Sequence, residues 1–436
     1  MTQTLVFPTT VKRFVLLFTT FLLVTSPVLE ADSSHYEYDV KDDGTVSIIG
    51  YQGPGGEVTI PSEIEGKPVT SIGHRAFMDH VRRDHDRMIA SVRFPETVTS
   101  VGREAFRDNR ALTDVYIPAS LTDITRPAFS RCPSLMNFHI HEDNPAYRSV
   151  DGVFFTRDME EIRHYPQARE GDYVIPDGVI RIRDEAFRWA KGLTGISIPD
   201  SVTWIGKQAF RGCENLTEIT LPENLESLVR QGRHFKDCTS LKRIVIPDGV
   251  TIIPQRTFRG CTSLEEVVLP KNLTSLQGSA FQYCTSLTQI TIPAKVTEFS
   301  GGRVFDGCEN LQSIYFLGDA PEVSGRDHFP ANATIFRTAS ASGWPEEGET
   351  WNGLRIALFD PEELAQATPG DAVAMASDEP MRVWTNQEGE QITAAFRGLR
   401  NNQILLLRED GELFEVDPQI FSSEDRAYIR DQLSNQ

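Results

Sequence analysis

Nine short apolar runs along the chain close on a hydrophobic residue followed by proline: Ile60-Pro61, Phe94-Pro95, Ile117-Pro118, Ile175-Pro176, Ile198-Pro199, Leu221-Pro222, Ile246-Pro247, Leu269-Pro270 and Ile292-Pro293. Six of the eight intervals between these pairs are 23 or 25 residues. A unit this short encloses no core of its own, so each copy must bury its apolar side against the next and the chain must grow as a solenoid.

Aligned on the proline, the copies share one pattern. Phe210, Cys213, Leu216, Ile219 and Leu221 recur as Phe258, Cys261, Leu264, Val267 and Leu269, and again as Phe281, Cys284, Leu287, Ile290 and Ile292. The end of each copy alternates, which turns Ile219 and Leu221 inward and Glu218 and Thr220 to solvent, so each repeat contributes one short strand. Proline lacks a ladder donor and ends it. After the proline, Val202, Ile205, Ala209 and Phe210 are spaced to face inward again, with Gly206 expected to permit the corner. One helical turn or a second short strand fits this segment.

These residues resemble the BspA-like leucine-rich repeat family, whose units read approximately I-P-x-x-V-x-x-I-x-x-x-A-F-x-x-C-x-x-L. The match covers roughly residues 57–317. The resemblance implies a curved, right-handed, strand-rich solenoid, placed here over residues 32–317. Two departures stand out: a charged stretch at 79–87, and a 58-residue interval between Pro118 and Pro176 that holds one repeat strand and then an insert at 141–170. Within the insert, 152–155 and 162–166 flank Arg157-Asp158 and read as a hairpin. Both excursions are expected to emerge on one rim.

The length of 436 residues favours more than one structural unit. A net charge of −19 argues against nucleic acid or an anionic membrane as the main partner. Lys12-Arg13 followed by an apolar run of 11 residues at 14–24 reads as a secretory leader ending near Ala31, too short to span a bilayer, with an uncleaved anchor as the alternative. Its removal would leave no transmembrane segment and an exported protein, periplasmic, surface-bound or extracellular.

The six cysteines, Cys132, Cys213, Cys238, Cys261, Cys284 and Cys308, all fall three residues after a phenylalanine, a slot that Asn109 and Ala190 fill in other copies. A slot that accepts Cys, Asn or Ala calls for a small side chain in a tight turn, so a column of buried thiols is expected in preference to disulfides, and a collinear row cannot surround a tetrahedral zinc ion. His139 and His141, with Glu142 and Asp143 nearby, mix metal-ligand types but fit an exposed strand face and its end. The run Asp79, His80, Asp84, His85, Asp86 reads as a solvated loop. His74, His164, His234 and His328 stand apart from any nucleophile pattern, and no hydrolase, zinc-protease, phosphate-loop or dinucleotide motif is present. No catalytic residue, metal or cofactor is expected.

The stacked strands offer a platform whose outward positions vary without touching the core. Its candidate binding residues are Arg93, Asp114, Tyr116, Asn137, His139, Glu218, Arg243, Glu266, Gln289 and Tyr315, with Tyr116 and Tyr315 as the aromatic anchors. Beyond Gly318 the period stops, and 318–360 reads as an irregular cap over the open end, followed by an Ala-, Pro- and acid-rich linker at 361–380.

The last segment, 381–436, shows four alternating runs at 382–384, 391–396, 403–407 and 412–416, with Asp410-Gly411 as a hairpin turn. Ser422 and Asp425 open a helix over 425–433. This order, with Trp384, Gly389, Phe396, Gly398 and Tyr428, resembles the Sla-type homology domain, a small Src-homology-like β-barrel named from a yeast endocytic adaptor. In that setting the domain reads a short Asn-Pro-Phe-containing peptide. Trp384 is expected in the barrel core.

Together these features predict a non-catalytic exported protein that binds protein or cell-surface glycan through its solenoid and carries an adaptor-like module. A self-associating envelope scaffold and a hydrolase with a site between His139 and His164 are the alternatives.

Overall fold

The computed structural model describes residues 33–78, 88–228, 232–326, 328–360, 382–386, 391–400, 403–408, 413–416, 421, 422 and 425. The expected leader, the charged stretch 79–87, the linker and the C-terminal helix beyond Asp425 lie outside them.

The proline-terminated runs form one face of a solenoid of about 13 turns. In this front ladder the repeat strands lie parallel to their neighbours, in register apart from shifts at Gly56 and Gly171: Ile196 pairs with Ile219, Ile244 with Val267, and Ile290 with Ile314. Register holds because a slip by one residue would turn every inward side chain to solvent. The segment after each proline resolves as a second short strand. Arg181–Ile182, Trp204–Ile205 and Ser227–Leu228 pair in parallel as a lateral ladder.

The turn that follows differs from expectation. Gly206 does not have a positive φ. It is needed for close approach, because a Cβ there would meet the Asp184 backbone nitrogen at 2.4 Å. Left-handed backbone falls instead on non-glycine residues two before the phenylalanine, at Gln208 (φ 55°) and Arg256 (φ 58°). It recurs just before the cysteine slot, where Gly212 (φ 75°) relieves the strain that Asp237 (φ 64°) bears. Stacking of the coils holds these conformations in place.

Between the ladders runs a column of phenylalanines. Phe187, Phe210, Phe235, Phe258, Phe281 and Phe305 lie ring over ring at 5.1 to 5.5 Å. Beside it stand the cysteines, all free and buried. Each thiol donates to the carbonyl of the phenylalanine one coil back: Cys213 to Phe187 at 3.1 Å, Cys261 to Phe235 at 3.1 Å, Cys308 to Phe281 at 3.0 Å. Asn109 makes the same bond with its amide, to Phe77 at 2.7 Å. Burial pushes the thiols of Cys213, Cys261 and Cys284 well above their ordinary range, which keeps them protonated donors.

The insert is larger and more deeply placed than a rim excursion. The expected hairpin is present, with Phe155 opposite Ile162, but a strand Tyr147–Val150 precedes it and pairs antiparallel with Val153–Thr156. The third strand, Glu161–His164, then pairs in parallel with Arg181–Ile182, so the insert becomes part of the lateral ladder. Asn144 anchors its entry: its amide donates to Pro118 and Leu121, and its oxygen accepts from Ala146 and Tyr147. The insert divides the hydrophobic core into an N-terminal cluster from Tyr36 to Phe154 and a C-terminal one from Val153 to Leu354.

The ends are also more regular than the sequence suggested. Tyr36–Val40 and Val46–Tyr51 form an antiparallel hairpin that begins the lateral ladder. Its sequence signal was Asp43-Gly44 between two alternating runs. At the other end the front ladder continues past Gly318: Thr334–Arg337 and Leu354–Leu358 add two parallel strands, and Thr350–Trp351 folds back antiparallel. Trp344 and Trp351, 4.9 Å apart, pack on Phe316 and cover the last coil.

The C-terminal strands, Arg382–Thr385, Gln391–Arg400, Gln403–Arg408 and Leu413–Val416, pair as an antiparallel meander. Trp384 is fully buried against Ala394, Ile404, Leu406 and Phe421, and its indole N–H donates to Ala394 at 2.9 Å. Among the described residues no helix is long and apolar enough to cross a membrane.

Candidate binding face

The ten candidate residues separate into two groups. Arg93, Asp114, Tyr116, Asn137 and His139 come from the adjacent strands Ile89–Arg93, Asp114–Ile117 and Asn137–Ile140, whose register places Arg93 beside Tyr116 and Tyr116 beside His139. The Arg93 guanidinium lies 3.4 Å from the centre of the Tyr116 ring, and the His139 imidazole stacks on that ring at 4.4 Å with 10° between planes. The phenol is thus held between a cation and a second ring, an arrangement that attracts through the ring quadrupole.

Beneath the stack, His139 Nε2 lies 2.7 Å from Asp114 Oδ1, and the Asn137 amide donates to the same oxygen at 3.2 Å. Burial opposes ionisation of Asp114, but hydrogen bonds from His139, Thr113 and Asn137 outweigh it and hold the carboxyl below its ordinary range. The carboxylate fixes the imidazole, and the imidazole fixes the ring. Beside them lies an open concavity of about 610 Å³, bounded by Arg93, Tyr116 and His139 on the sheet side and by Ser149 and Gly152 of the insert.

The other five are not brought to this place. Arg243 and Glu266 neutralise each other at 2.8 Å across neighbouring strands. Tyr315 stacks on Phe336 at 4.9 Å and meets the edge of Phe359 at 5.2 Å. Glu218 is exposed and Gln289 half-buried on separate coils. Tyr116 is therefore not the open anchor that its outward position implied, since both of its faces are occupied. His139 stays exposed to solvent, and Tyr116 is half-buried.

The two histidines at 139 and 141 turn to different partners: His141 Nδ1 accepts from the Asp143 N–H at 3.2 Å, just past the strand end. The alternative of a hydrolase in the insert requires a nucleophile hydrogen-bonded to a base. His164 Nε2 is buried without a hydrogen-bond partner, and His139 is bonded to a carboxylate.

A model of the BspA type leucine rich repeat region matches residues 57–164 and 180–312 in 6 copies, more than half of the chain. The chain belongs to this family. The first matched block runs through the three strands of the insert, only 165–179 with the strand Gly171–Val174 falls between the two blocks, and both ladders pass through them. Solved structures similar to this chain include a leucine-rich repeat protein from Bacteroides ovatus, 26% identical over 74% of this chain and 75% of that one, with a TM-score of 0.46. A leucine rich cell surface protein from Faecalibacterium prausnitzii is 24% identical over 62% and 93%, with a TM-score of 0.38. The pneumococcal vaccine antigen PcpA is 16% identical over 74% and 96%, with a TM-score of 0.41. No curated protein matches the chain.

The BspA-type pattern also accounts for three histidines that the sequence left without a place. His164, His234 and His328 each precede an aromatic residue, as Ala186 and Ala209 do, and occupy the small-residue slot of the repeat. The backbone confirms the slot: Phe210 N–H donates to His234, Phe305 to His328, and Tyr165 to Ala186. Tyr165 takes the phenylalanine place in the column, 4.8 Å from Phe187.

Proposed function

We propose that this protein is an exported, non-catalytic binding protein whose repeat face recognises a protein or cell-surface glycan, with the Arg93–Tyr116–His139 stack as its focal point. The observation that carries the reading is the ordered stack itself. Three side chains from three strands are stacked on one another, with His139 held by Asp114, itself bonded by Asn137, before any partner arrives, beside a concavity open to solvent. Preorganised groups lose little entropy on binding, which is how a polar surface gains affinity. The basic, apolar leader at 12–24 supports export. The segment 381–436 is read as a Sla-type homology module that docks the protein to a second partner, with 361–380 as the tether.

The test is affinity capture from the native envelope by the full chain and by its Tyr116→Ala, His139→Ala double variant. Loss of one defined ligand with unchanged folding supports this face. Equal capture by both proteins moves the binding elsewhere, and concentration-dependent assembly in light scattering without any captured ligand favours the scaffold alternative.

A further inference from the structure

The aromatic column is interrupted once. Phe77, Phe106 and Phe129 stack in the N-terminal body, the column resumes at Tyr165 and Phe187, and Phe138 and Phe154 fill only part of the break. What remains is a partly enclosed cavity whose apolar walls include Phe129, Phe154 and Trp189 and whose polar lining includes Arg126, Arg163, His164, Gln167 and Arg188 together with Asp184 and Glu185. Its free volume, about 30 Å³, accepts about two water-sized groups.

The polar groups here are unusually short of partners. Arg163 Nε, Arg188 Nε and His164 Nε2 are buried without hydrogen-bond acceptors. Arg163 spends one terminal nitrogen on the Ile124 carbonyl at 3.1 Å, and Arg126 one on the Asp184 carbonyl at 3.3 Å. Neither forms an ion pair among the described residues. Around them, Arg181 and Arg183 share Glu161 at 3.3 and 3.0 Å, and Arg188 takes Glu185 at 2.8 Å. Asp184 Oδ1 accepts from the Lys207 N–H at 3.0 Å, and Asp123 is the remaining carboxylate near Arg163. Of the charged groups that line the cavity, Arg126, Arg163 and Arg188 face Asp184 and Glu185, which leaves one positive charge over in a chain that is strongly acidic elsewhere. Burial, then the like charges of Arg183 and Arg163, pulls Arg126 below its ordinary range, and burial does the same to Arg163. A half-buried cation without a counterion is costly, and N–H donors left without acceptors in the residues around a cavity add to that cost.

We propose that this junction cavity binds one carboxylate group, held between Arg126 and Arg163 with a hydrogen bond from His164. The surplus of a single charge selects a monoanion. The volume admits a carboxylate head and excludes a sugar ring. The planar guanidinium is matched to the carboxylate's two oxygens. The group comes either from a free small acid or from an acidic side chain of a partner inserted at the junction of the two bodies.

Formate, added to the full-length protein at constant ionic strength with pivalate as the bulky balancing anion, distinguishes the cases. The expected result is a saturable rise in melting temperature and a measurable heat of binding for formate and acetate but not pivalate, with affinity at least tenfold weaker in Arg126→Gln and Arg163→Gln. The surface variant Lys271→Gln should bind as the parent does. If Arg163→Gln fails to fold, Arg163→Lys keeps the charge without the orphaned Nε, and weaker binding is again expected. Equal responses to formate and pivalate, or full binding by the arginine variants, overturn the proposal. A short peptide carrying one glutamate that binds and is displaced by formate, while its glutamine version does not bind, assigns the carboxylate to a partner. Formate binding without peptide binding assigns it to a free acid.

Discussion

Phe154 and Phe155 are consecutive residues of one strand and belong to different cores. Phe154 packs with Phe138 at 5.1 Å and Tyr147 at 5.0 Å in the N-terminal body, while Phe155 joins Val153 and Ile162 in the C-terminal one. Alternation along a strand does this without any special residue. The strand Val153–Thr156 is thereby a wall between two stacks.

Truncating the two residues should accordingly disturb opposite sides. Phe154→Ala is expected to cost about 3–5 kcal/mol and to raise hydrogen exchange over 89–140, whereas Phe155→Ala costs a similar amount and raises it over 171–220. The same exchange pattern from both variants would show that the wall does not partition the stack.

The thiol column should be silent until the protein unfolds. All six cysteines are fully buried, so native protein is expected to react slowly with a thiol reagent, and unreduced protein in denaturant should yield six free thiols. Cys261→Ala removes the donor to the Phe235 carbonyl and should cost about 1–2 kcal/mol, read by urea unfolding. Fewer than six thiols after denaturation would contradict the column.

Acid should act through His234. It is fully buried with neither ring nitrogen partnered, and burial pushes its pKa down to about 3 from 6.5. A folded-state pKa below the unfolded one means that the unfolded chain binds more protons between these values, so stability is complete above pH 6.5 and is lost as pH falls toward 3. His234→Ala restores the alanine of the repeat slot and should remove on the order of 2 kcal/mol of the acid destabilisation at pH 5. Parallel pH–stability curves for variant and parent would refute this.

In the C-terminal module, Asp425 is the residue to change. Its carboxylate is buried, pairs with Arg382 at 2.6 Å and accepts from the Thr385 N–H at 2.8 Å. Asp425→Ala removes the ion pair to Arg382 and the acceptor of the Thr385 N–H and should cost about 1.5–3 kcal/mol of local stability. Faster exchange over 382–385 and 403–408 is the expected readout, and unchanged exchange there would count against the pair as a structural tie.

By contrast, Arg243 and Glu266 are partly exposed, and their ion pair is worth about 0–1 kcal/mol at most. Glu266→Gln should leave the melting temperature nearly unchanged, and a large drop would mean that the pair is embedded in a network.

Local pattern made the repeat legible. The proline spacing, the alternation at Ile219 and Leu221, and the shared slot of the six cysteines each follow from what one coil must bury against the next, and that demand is written at every copy. It also showed the four C-terminal strands, because alternation and Asp-Gly turns act over a few residues.

Other features depended on contacts between distant segments. Gly206 is excluded from carrying a side chain by Asp184 of the neighbouring coil, and the sequence around Gly206 contains no sign of that neighbour. The continuation past Gly318 was hidden because Thr334–Arg337 lacks the proline and cysteine markers, although it offers the same inward Ile335 to the ladder. Spacing alone placed Arg93, Tyr116 and His139 on one face. Only the register of three strands, summed with the insert that ends the front sheet beside His139, decided that they stack, that Asp114 locks them, and that five other candidates lie elsewhere. A one-dimensional pattern specifies which side of a strand a residue takes. Which residues then meet across coils is set by the stacking itself, where side chains many residues apart come within a few ångströms.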